Sequence, residues 1–105
     1  MNPNMFNMLA EPNRLQIVEL LSNGPRPVNE IVNRLGLNQP QVSKHLKVLS
    51  DGGIVDVTPI KQQRIYGLKP EPFKELESWL EKYKYMWDKR FDRLDKLLKK
   101  EIGHK

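Results

Sequence analysis

Residues 38–49 place amide and basic side chains on a segment that carries the start signals of a helix. The segment has the sequence NQPQVSKHLKVL. Asn38 is a favoured N-cap residue, Pro40 falls in the first turn, and Gln41 stands three residues after the cap, as in a capping box. Apolar residues then follow at helical spacing and are expected to point inward, which leaves amide, hydroxyl and lysine side chains on the outer face.

Side chains of these types form hydrogen bonds with base edges and phosphates, so the outer face predicts a DNA-binding surface. In a major groove the amides would pair with adenine, and a lysine with guanine or phosphate. A helix face of this composition is also typical of a solvated surface with no ligand. The neighbouring elements are therefore needed to distinguish a DNA-binding face from a solvated one. The candidate DNA-binding residues of the segment are Asn38, Gln39, Gln41, Ser43, Lys44, His45 and Lys47.

A second short amphipathic helix precedes this segment. Pro27 is predicted to begin it, an apolar stripe keeps the helical period, and Gly36 ends it. A tight turn then leads to Asn38. Two short amphipathic helices joined in this way are typical of a helix-turn-helix, which we place at residues 27–50, with residues 38–49 as the recognition helix.

Two helices are predicted before the helix-turn-helix. The first is short and breaks near Pro12. The second has a broad apolar stripe that includes Leu15 and Leu21, and the residues Asn23-Gly24-Pro25 are expected to end it.

Two alternating segments follow the recognition helix and predict a two-stranded β-hairpin. Residues 54–58 and 64–68 alternate apolar and polar side chains like strands, and residues 59–63 form the loop between them. Helix-turn-helix and hairpin together make a winged helix, an α+β fold that is mostly α. A basic wing beside the recognition helix would contact phosphates or the minor groove. The predicted wing spans residues 54–68, and its candidate DNA-binding residues are Lys61, Gln62, Gln63 and Arg64.

Residues 70–102 predict one long C-terminal helix. Apolar side chains recur along it at alternating spacings of three and four, and Arg90 alone interrupts the seam. A single copy would leave much of this apolar surface in water, so we expect the helix to pack against a second copy of the chain. The predicted dimerisation residues of this helix are Phe73, Leu76, Leu80, Tyr83, Trp87 and Leu94.

The length and composition predict one small domain over residues 1–105, and the predicted elements make it a winged helix. Of the 105 residues, 38% are hydrophobic and 30% are charged, and the net charge of +5 favours an anionic partner. No cysteine is present, which excludes thiolate metal ligands and cysteine nucleophiles. The N-terminus lacks the regions of a signal peptide, and no apolar run reaches the length of a membrane span, so we expect a cytoplasmic protein with no membrane partner.

The sequence contains no constellation that predicts catalysis, a cofactor or a metal site. His45 stands alone, with no second ligand or orienting carboxylate near it in the pattern. His104 lies in the C-terminal tail and completes no set of metal ligands with other residues of the sequence. We therefore expect a protein that is not an enzyme.

The chain resembles the ArsR/SmtB family of bacterial winged-helix transcriptional repressors over nearly its whole length. Residues 9–14, LAEPNR, are similar to the opening motif of the family, and residues 17–21, IVELL, continue it. Residues 37–49 are similar to its recognition-helix signature, and residues 53–55 open the wing. The resemblance implies repression of transcription at a pseudo-palindromic operator by a homodimer assembled through the first and last helices. It thereby adds residues 1–10 to the dimerisation elements, with the residues Met5, Phe6 and Leu9.

The chain also departs from the metal-sensing members of this family. Those members often carry a cysteine pair at the third helix, where this chain reads RPVNEI, or Asp and His ligands in the last helix, which here has no histidine before the tail. The resemblance is therefore to the metal-independent branch, whose effector would be a protein, a small molecule or none. The wing also lacks the glycine common in the family.

Two alternatives remain open from the sequence. The winged helix could be a protein-interaction module that binds a partner through its aromatic last helix. It could also be a metal-responsive sensor with oxygen and nitrogen ligands.

Overall fold

The computed structural model describes residues 3–102. Over this range the chain forms five helices and three strands. Their bounds are α1 Pro3–Ala10, α2 Pro12–Leu21, β1 Arg26–Pro27, α3 Val28–Leu35, α4 Gln39–Asp51, β2 Val55–Ile60, β3 Gln63–Leu68 and α5 Pro70–Ile102. The predicted fold class, a mostly helical winged helix-turn-helix with a long C-terminal helix, is confirmed.

The chain divides into two compact units, which are described separately. One contains α1 to β3 and ends at Pro72, and the other is the rest of α5, from Phe73 onward.

The core of the first unit lies where α2, α3 and α4 meet the start of the sheet. Its fully buried side chains come from each of these elements, because the apolar positions of each helix repeat at three or four residues and face the same centre. They are Ile17, Ile31, Val42, Leu46, Leu49, Ile54 and Val55. Leu15 was predicted to share the stripe of α2, but it is 40% exposed.

The helix boundaries follow from local backbone signals. Glu11 caps α2 by accepting a hydrogen bond from the Arg14 amide, and α3 ends at Gly36, whose φ of 66° is in the left-handed region that glycine adopts readily. Two boundaries differ from prediction. The second helix ends at Leu21, before Gly24, and Pro27 is the N-cap of α3 rather than its first residue.

The sheet has three antiparallel strands in the order β1-β3-β2. The predicted hairpin is present as β2 and β3, in a register that pairs Val55 with Leu68 and Ile60 with Gln63. Its strands are longer than predicted, so the loop shrinks to Lys61 and Gln62. The two-residue strand β1 pairs with β3 and was not predicted.

The second unit is a single helical segment. α5 has 33 residues, a length of about 50 Å at about 1.5 Å per residue, and its predicted range is confirmed. Across the residues that the structure describes, no helix is both long and apolar enough to cross a membrane.

Candidate DNA-binding surface

The start of α4 is fixed by a complete capping box. The Asn38 side chain accepts a hydrogen bond from the Gln41 amide at 2.9 Å, and the Asn38 amide donates to Oε1 of Gln41 at 3.4 Å. This is the arrangement that the sequence predicts. It has a consequence for Gln41, because the side-chain oxygen is engaged within the helix and the amide hydrogens remain available to a ligand.

The outer face of α4 presents the predicted side chains to solvent. Val42, Leu46 and Leu49 are fully buried, so the opposite side of the helix is fixed against the core. The exposed candidates on α4 and at its cap are Asn38, Gln39, Gln41, Ser43, Lys44 and Lys47.

The hairpin β2–β3 forms the wing, and its predicted candidates are all exposed. Lys61 lies in the turn with a φ of 57°, a left-handed conformation more usual for Gly, Asn or Asp. The turn therefore holds a lysine at the very tip of the wing. The exposed wing residues are Lys61, Gln62, Gln63 and Arg64.

One cleft brings the start of α4, the start of α3 and the wing together. Gln39 faces three wing residues across it, so amide groups from two separate elements converge with one guanidinium. Asn29, an exposed residue of the first turn of α3, also lines this cleft and was not predicted as a candidate. The full lining is Pro27, Val28, Asn29, Gln39, Gln62, Gln63 and Arg64.

Arg26 and Glu30 join the sheet to α3 beside this cleft. Nη1 of Arg26, in β1, donates a hydrogen bond to Oε1 of Glu30, and Nη2 of Arg34 lies 3.8 Å from the same oxygen. Because β1 pairs with β3, this ion pair connects α3 to the strand that carries half of the wing. Nothing in the sequence pattern marks Arg26 as part of a strand.

His45 differs from the other candidates on α4, because its side chain is only 15% exposed. Its Nδ1 lies 3.7 Å from Oε2 of Glu11, the residue that caps α2. The sequence pattern predicts no carboxylate near His45, and this prediction was wrong. Since the two residues are far apart in the chain, only the packing of α4 on the start of α2 reveals the contact.

The candidate dimerisation residues divide by exposure. Phe6 is 43% exposed, Leu9 is half-buried, and Met5 is 4% exposed, so the Met5 side chain is buried within the single chain. In α5, Phe73 and Leu76 are half-buried, and the seam residues beyond them are exposed. These exposed residues are Leu80, Tyr83, Trp87 and Leu94.

An apolar groove runs along α5 between Phe73 and Trp87. Leu76, Leu80 and Tyr83 line it, with two glutamates and one lysine at its margins. Further along the helix the rings of Trp87 and Phe91 stack with centroids 5.9 Å apart. The groove thus brings together five of the six predicted seam residues of α5, and Leu94 lies beyond it.

No group of three or more histidine, cysteine, aspartate or glutamate side chains that could hold a metal ion occurs among the described residues. The contact between His45 and Glu11 supplies two such side chains and no third.

The chain is similar in sequence to known bacterial regulatory proteins. Residues 11–57, which include α2, the helix-turn-helix and the start of β2, match the model of bacterial regulatory proteins of the arsR family. The HTH-type transcriptional regulator Rv2034 of Mycobacterium tuberculosis is 36% identical over 78 residues, which cover 74% of this chain and 73% of that protein.

Two solved structures show the same architecture. The ArsR family transcriptional regulator RHA00566 superposes with a TM-score of 0.67 at 30% identity, covering 79% of this chain and 91% of that one. The homodimeric winged helix-turn-helix DNA-binding domain of Mb0332 from Mycobacterium bovis gives a TM-score of 0.62 at 31% identity, over 71% of this chain and 69% of that one. This chain therefore belongs to the arsR family of bacterial regulatory proteins.

Proposed function

We propose that the chain is a dimeric, sequence-specific DNA-binding repressor of transcription that acts in the cytoplasm and catalyses no reaction. The observation that carries this proposal is the cleft in which the start of α4 meets the wing, since a solvated helix face needs no such partner. Membership of a family of transcriptional regulators supports it.

In this proposal α4 enters the major groove with its N-terminal half. Gln39 is exposed and free of the capping box, so its amide can pair with an adenine edge through both its oxygen and its nitrogen. The oxygen of Gln41 is engaged in the capping box, so we propose that its amide hydrogens recognise acceptors such as N7 or O6 of guanine, or O4 of thymine. Ser43 and Lys44 complete the reading face.

The remaining candidates position the protein on the phosphate backbone. Lys47 would contact a phosphate beside the groove, and the wing would contact the flanking backbone or the minor groove. Asn38 acts through the capping box that fixes the start of α4. Asn29 joins the wing residues as an added phosphate contact, because it lines the same cleft. The wing contacts come from Lys61, Gln62, Gln63 and Arg64.

Dimerisation places two copies of this surface on one duplex. The exposed seam of α5 supports pairing with a second copy, and Mb0332, a structural neighbour, is described as homodimeric. Phe6 and Leu9 are proposed to extend the contact, whereas the buried Met5 is left out of it. Two recognition helices about 34 Å apart would read successive half-sites of a pseudo-palindromic operator.

The dimer proposal is tested by Leu94→Glu. Leu94 is 51% exposed in the single chain, so the substitution leaves the chain folded and removes apolar contact with a partner. We expect sedimentation to show a dimer for the wild type and a monomer for the variant, with an unchanged helical spectrum. Lys82→Glu, at an exposed position outside the seam, is the matched control and should remain dimeric. A wild-type monomer would refute the proposal.

We also propose that the chain regulates without a metal held by its own residues. The lack of cysteine throughout the sequence, and of a ligand group among the described residues, supports this. Zinc is therefore expected to change neither the dimer equilibrium nor the affinity for DNA. A zinc-dependent change in either would favour a sensor with oxygen and nitrogen ligands.

DNA recognition is tested by selection from a random duplex library followed by a salt-titrated binding assay. Fluorescence anisotropy should show the selected duplex bound about 1,000-fold or more tightly than a scrambled duplex of the same composition. Affinities that are equal at every salt concentration would overturn the proposal.

The second candidate function is binding of a protein partner through α5. The apolar groove lined by Phe73, Leu76, Leu80 and Trp87 favours it, because such a strip suits a partner helix. This candidate gains support if the selection yields no preferred sequence and the wild type sediments as a monomer.

A further inference from the structure

The recognition helix contacts the start of α2 through an interaction that lies outside the apolar core. His45 projects from α4 toward Glu11, with Nδ1 and Oε2 3.7 Å apart. Nδ1 is buried and has no hydrogen-bond partner in the described part of the chain. The distance is within the range of an ionic contact and longer than a hydrogen bond, so the two side chains meet without a fixed hydrogen bond.

Glu11 is itself held in place by the start of α2. Its Oε2 accepts a hydrogen bond from the Arg14 amide at 2.8 Å, so the oxygen that faces His45 is also the N-cap oxygen. The Arg14 guanidinium in turn reaches back to α1, where Nε donates to the Met8 carbonyl at 2.8 Å. The carboxylate thus has a fixed position at the junction of α1 and α2.

The same junction also contacts the far end of α4. Gly52 caps the C-terminus of α4, and a Cβ at this position would lie 2.2 Å from Sδ of Met8. Met8 is therefore in direct contact with the end of the helix while its carbonyl accepts from Arg14. Glu11 and Met8 together touch α4 at its middle and at its end.

We propose that Glu11 is a positioning residue for DNA recognition, which sets the rotation of α4 about its axis through His45. The apolar residues of α4 fix the depth of the helix in the core, but contacts of this kind permit small rotations. The contact of His45 with Glu11 restricts that rotation. His45 lies one residue after Lys44 and one turn after Gln41, so the rotation would move both of these side chains. This inference rests on the proposed DNA-binding function and extends it to Glu11, which is not among the predicted DNA-binding residues.

A positioning role predicts a loss of discrimination rather than a loss of binding. Phosphate contacts tolerate a small rotation of the helix, whereas hydrogen bonds to base edges depend on direction. Loss of the Glu11 charge should therefore lower the affinity for a selected duplex and spare the affinity for a scrambled one. A merely structural role would lower both in proportion to the unfolded fraction.

The test compares Glu11→Gln, His45→Leu and the double variant in the full-length protein. Glutamine at position 11 keeps an oxygen that can accept from the Arg14 amide, so the cap of α2 is preserved. Glu19→Gln removes one charge from an exposed position of the same helix and is the matched control. His45→Asn keeps a polar side-chain group close to the position of Nδ1.

Binding is measured with a duplex selected on the wild type from a random library, and with its scrambled counterpart. We expect the ratio of the two affinities to fall about tenfold in Glu11→Gln and in His45→Leu, with no further fall in the double variant. The control should keep the wild-type ratio, and His45→Asn should recover part of it. Thermal unfolding monitors the folded fraction of every variant.

Three outcomes would overturn the inference. In the first, Glu11→Gln keeps the wild-type ratio of selected to scrambled affinity. In the second, the fall of this ratio in the double variant equals the product of the falls in the two single variants. The third is an equal loss on both duplexes that follows the unfolded fraction. Failure of the proposed function is distinct from all three, because the wild type would then select no sequence at all.

Discussion

Replacement of Gln41 separates its observed role in the capping box from its proposed role in base reading. Its oxygen accepts from the Asn38 amide at 3.4 Å, and the residue is exposed to solvent. Gln41→Glu keeps an acceptor for the cap and removes the amide hydrogens, whereas Gln41→Met removes both. The pair therefore distinguishes helix capping from base reading.

The expected magnitudes follow from this geometry. A base contact discriminates between the right and the wrong base by about 1–3 kcal/mol. The lower end, about 1 kcal/mol per half-site, applies here because the oxygen of Gln41 is engaged in the cap. Two half-sites give about 2 kcal/mol, or about 30-fold in the ratio of selected to scrambled affinity. For folding, Gln41→Glu should match the wild type, and Gln41→Met should lose about 0.5 kcal/mol in the free energy of unfolding.

The assay is fluorescence anisotropy with selected and scrambled duplexes, alongside urea unfolding of each variant. The new carboxylate in Gln41→Glu repels both duplexes, so the ratio of affinities removes that effect. A Gln41→Glu variant that keeps the wild-type ratio would refute base reading by Gln41. A Gln41→Met variant as stable as the wild type would refute the contribution of its oxygen to the cap.

Three further predictions follow from the helix ends and the wing. Asn38→Ala should lower the free energy of unfolding by about 1 kcal/mol and the Tm by about 5 °C. Asn38→Asp keeps a side-chain oxygen for the cap and should melt like the wild type. Equal Tm values for the two variants would contradict the capping role. Gly52→Ala should lose about 1 kcal/mol in urea unfolding, because its Cβ would lie 2.2 Å from Sδ of Met8 and the flexible end of that side chain must shift. That penalty should shrink in a Met8→Ala background, and an unchanged penalty would exclude the contact as its cause. Lys61→Gln should weaken binding of selected and scrambled duplexes by the same factor and reduce the salt slope by about 1 per subunit, whereas a loss confined to the selected duplex would assign Lys61 to base reading.

The sequence predicted the elements whose signals are local. The capping box of Asn38 and Gln41, the glycine that ends α3 and the range of α5 each depend on residues within one or two turns, and each is present. The winged-helix fold class followed from these elements in order.

The features that were missed depend on residues distant in the chain. β1 is a strand only because β3 pairs with it, and two residues such as Arg26 and Pro27 carry no periodicity of their own. The hairpin loop was predicted too long, because the turn uses Lys61 with a positive φ rather than a glycine or asparagine. The contact between His45 and Glu11 requires the packing of α4 on α2, which no spacing within either helix encodes.

The candidate DNA-binding surface also combines features that depend on nearby residues with features that depend on residues distant in the chain. The exposure of the polar side chains on α4 followed from its apolar stripe, since the inward positions determine the outward ones. The cleft that joins Gln39 to the wing, and the presence of Asn29 in it, depend on how α3, α4 and the hairpin pack together. Tertiary packing was needed to bring these residues to one place.

The central claim is that two recognition helices of a dimer read one duplex, and hydroxyl-radical footprinting of the selected duplex tests it most directly. We expect two protected windows on one face of the duplex, with centres about 10 base pairs apart. Leu94→Glu should abolish this paired pattern, and Lys82→Glu should preserve it. A single protected window with the wild-type protein, or protection without any preferred position, would contradict the account.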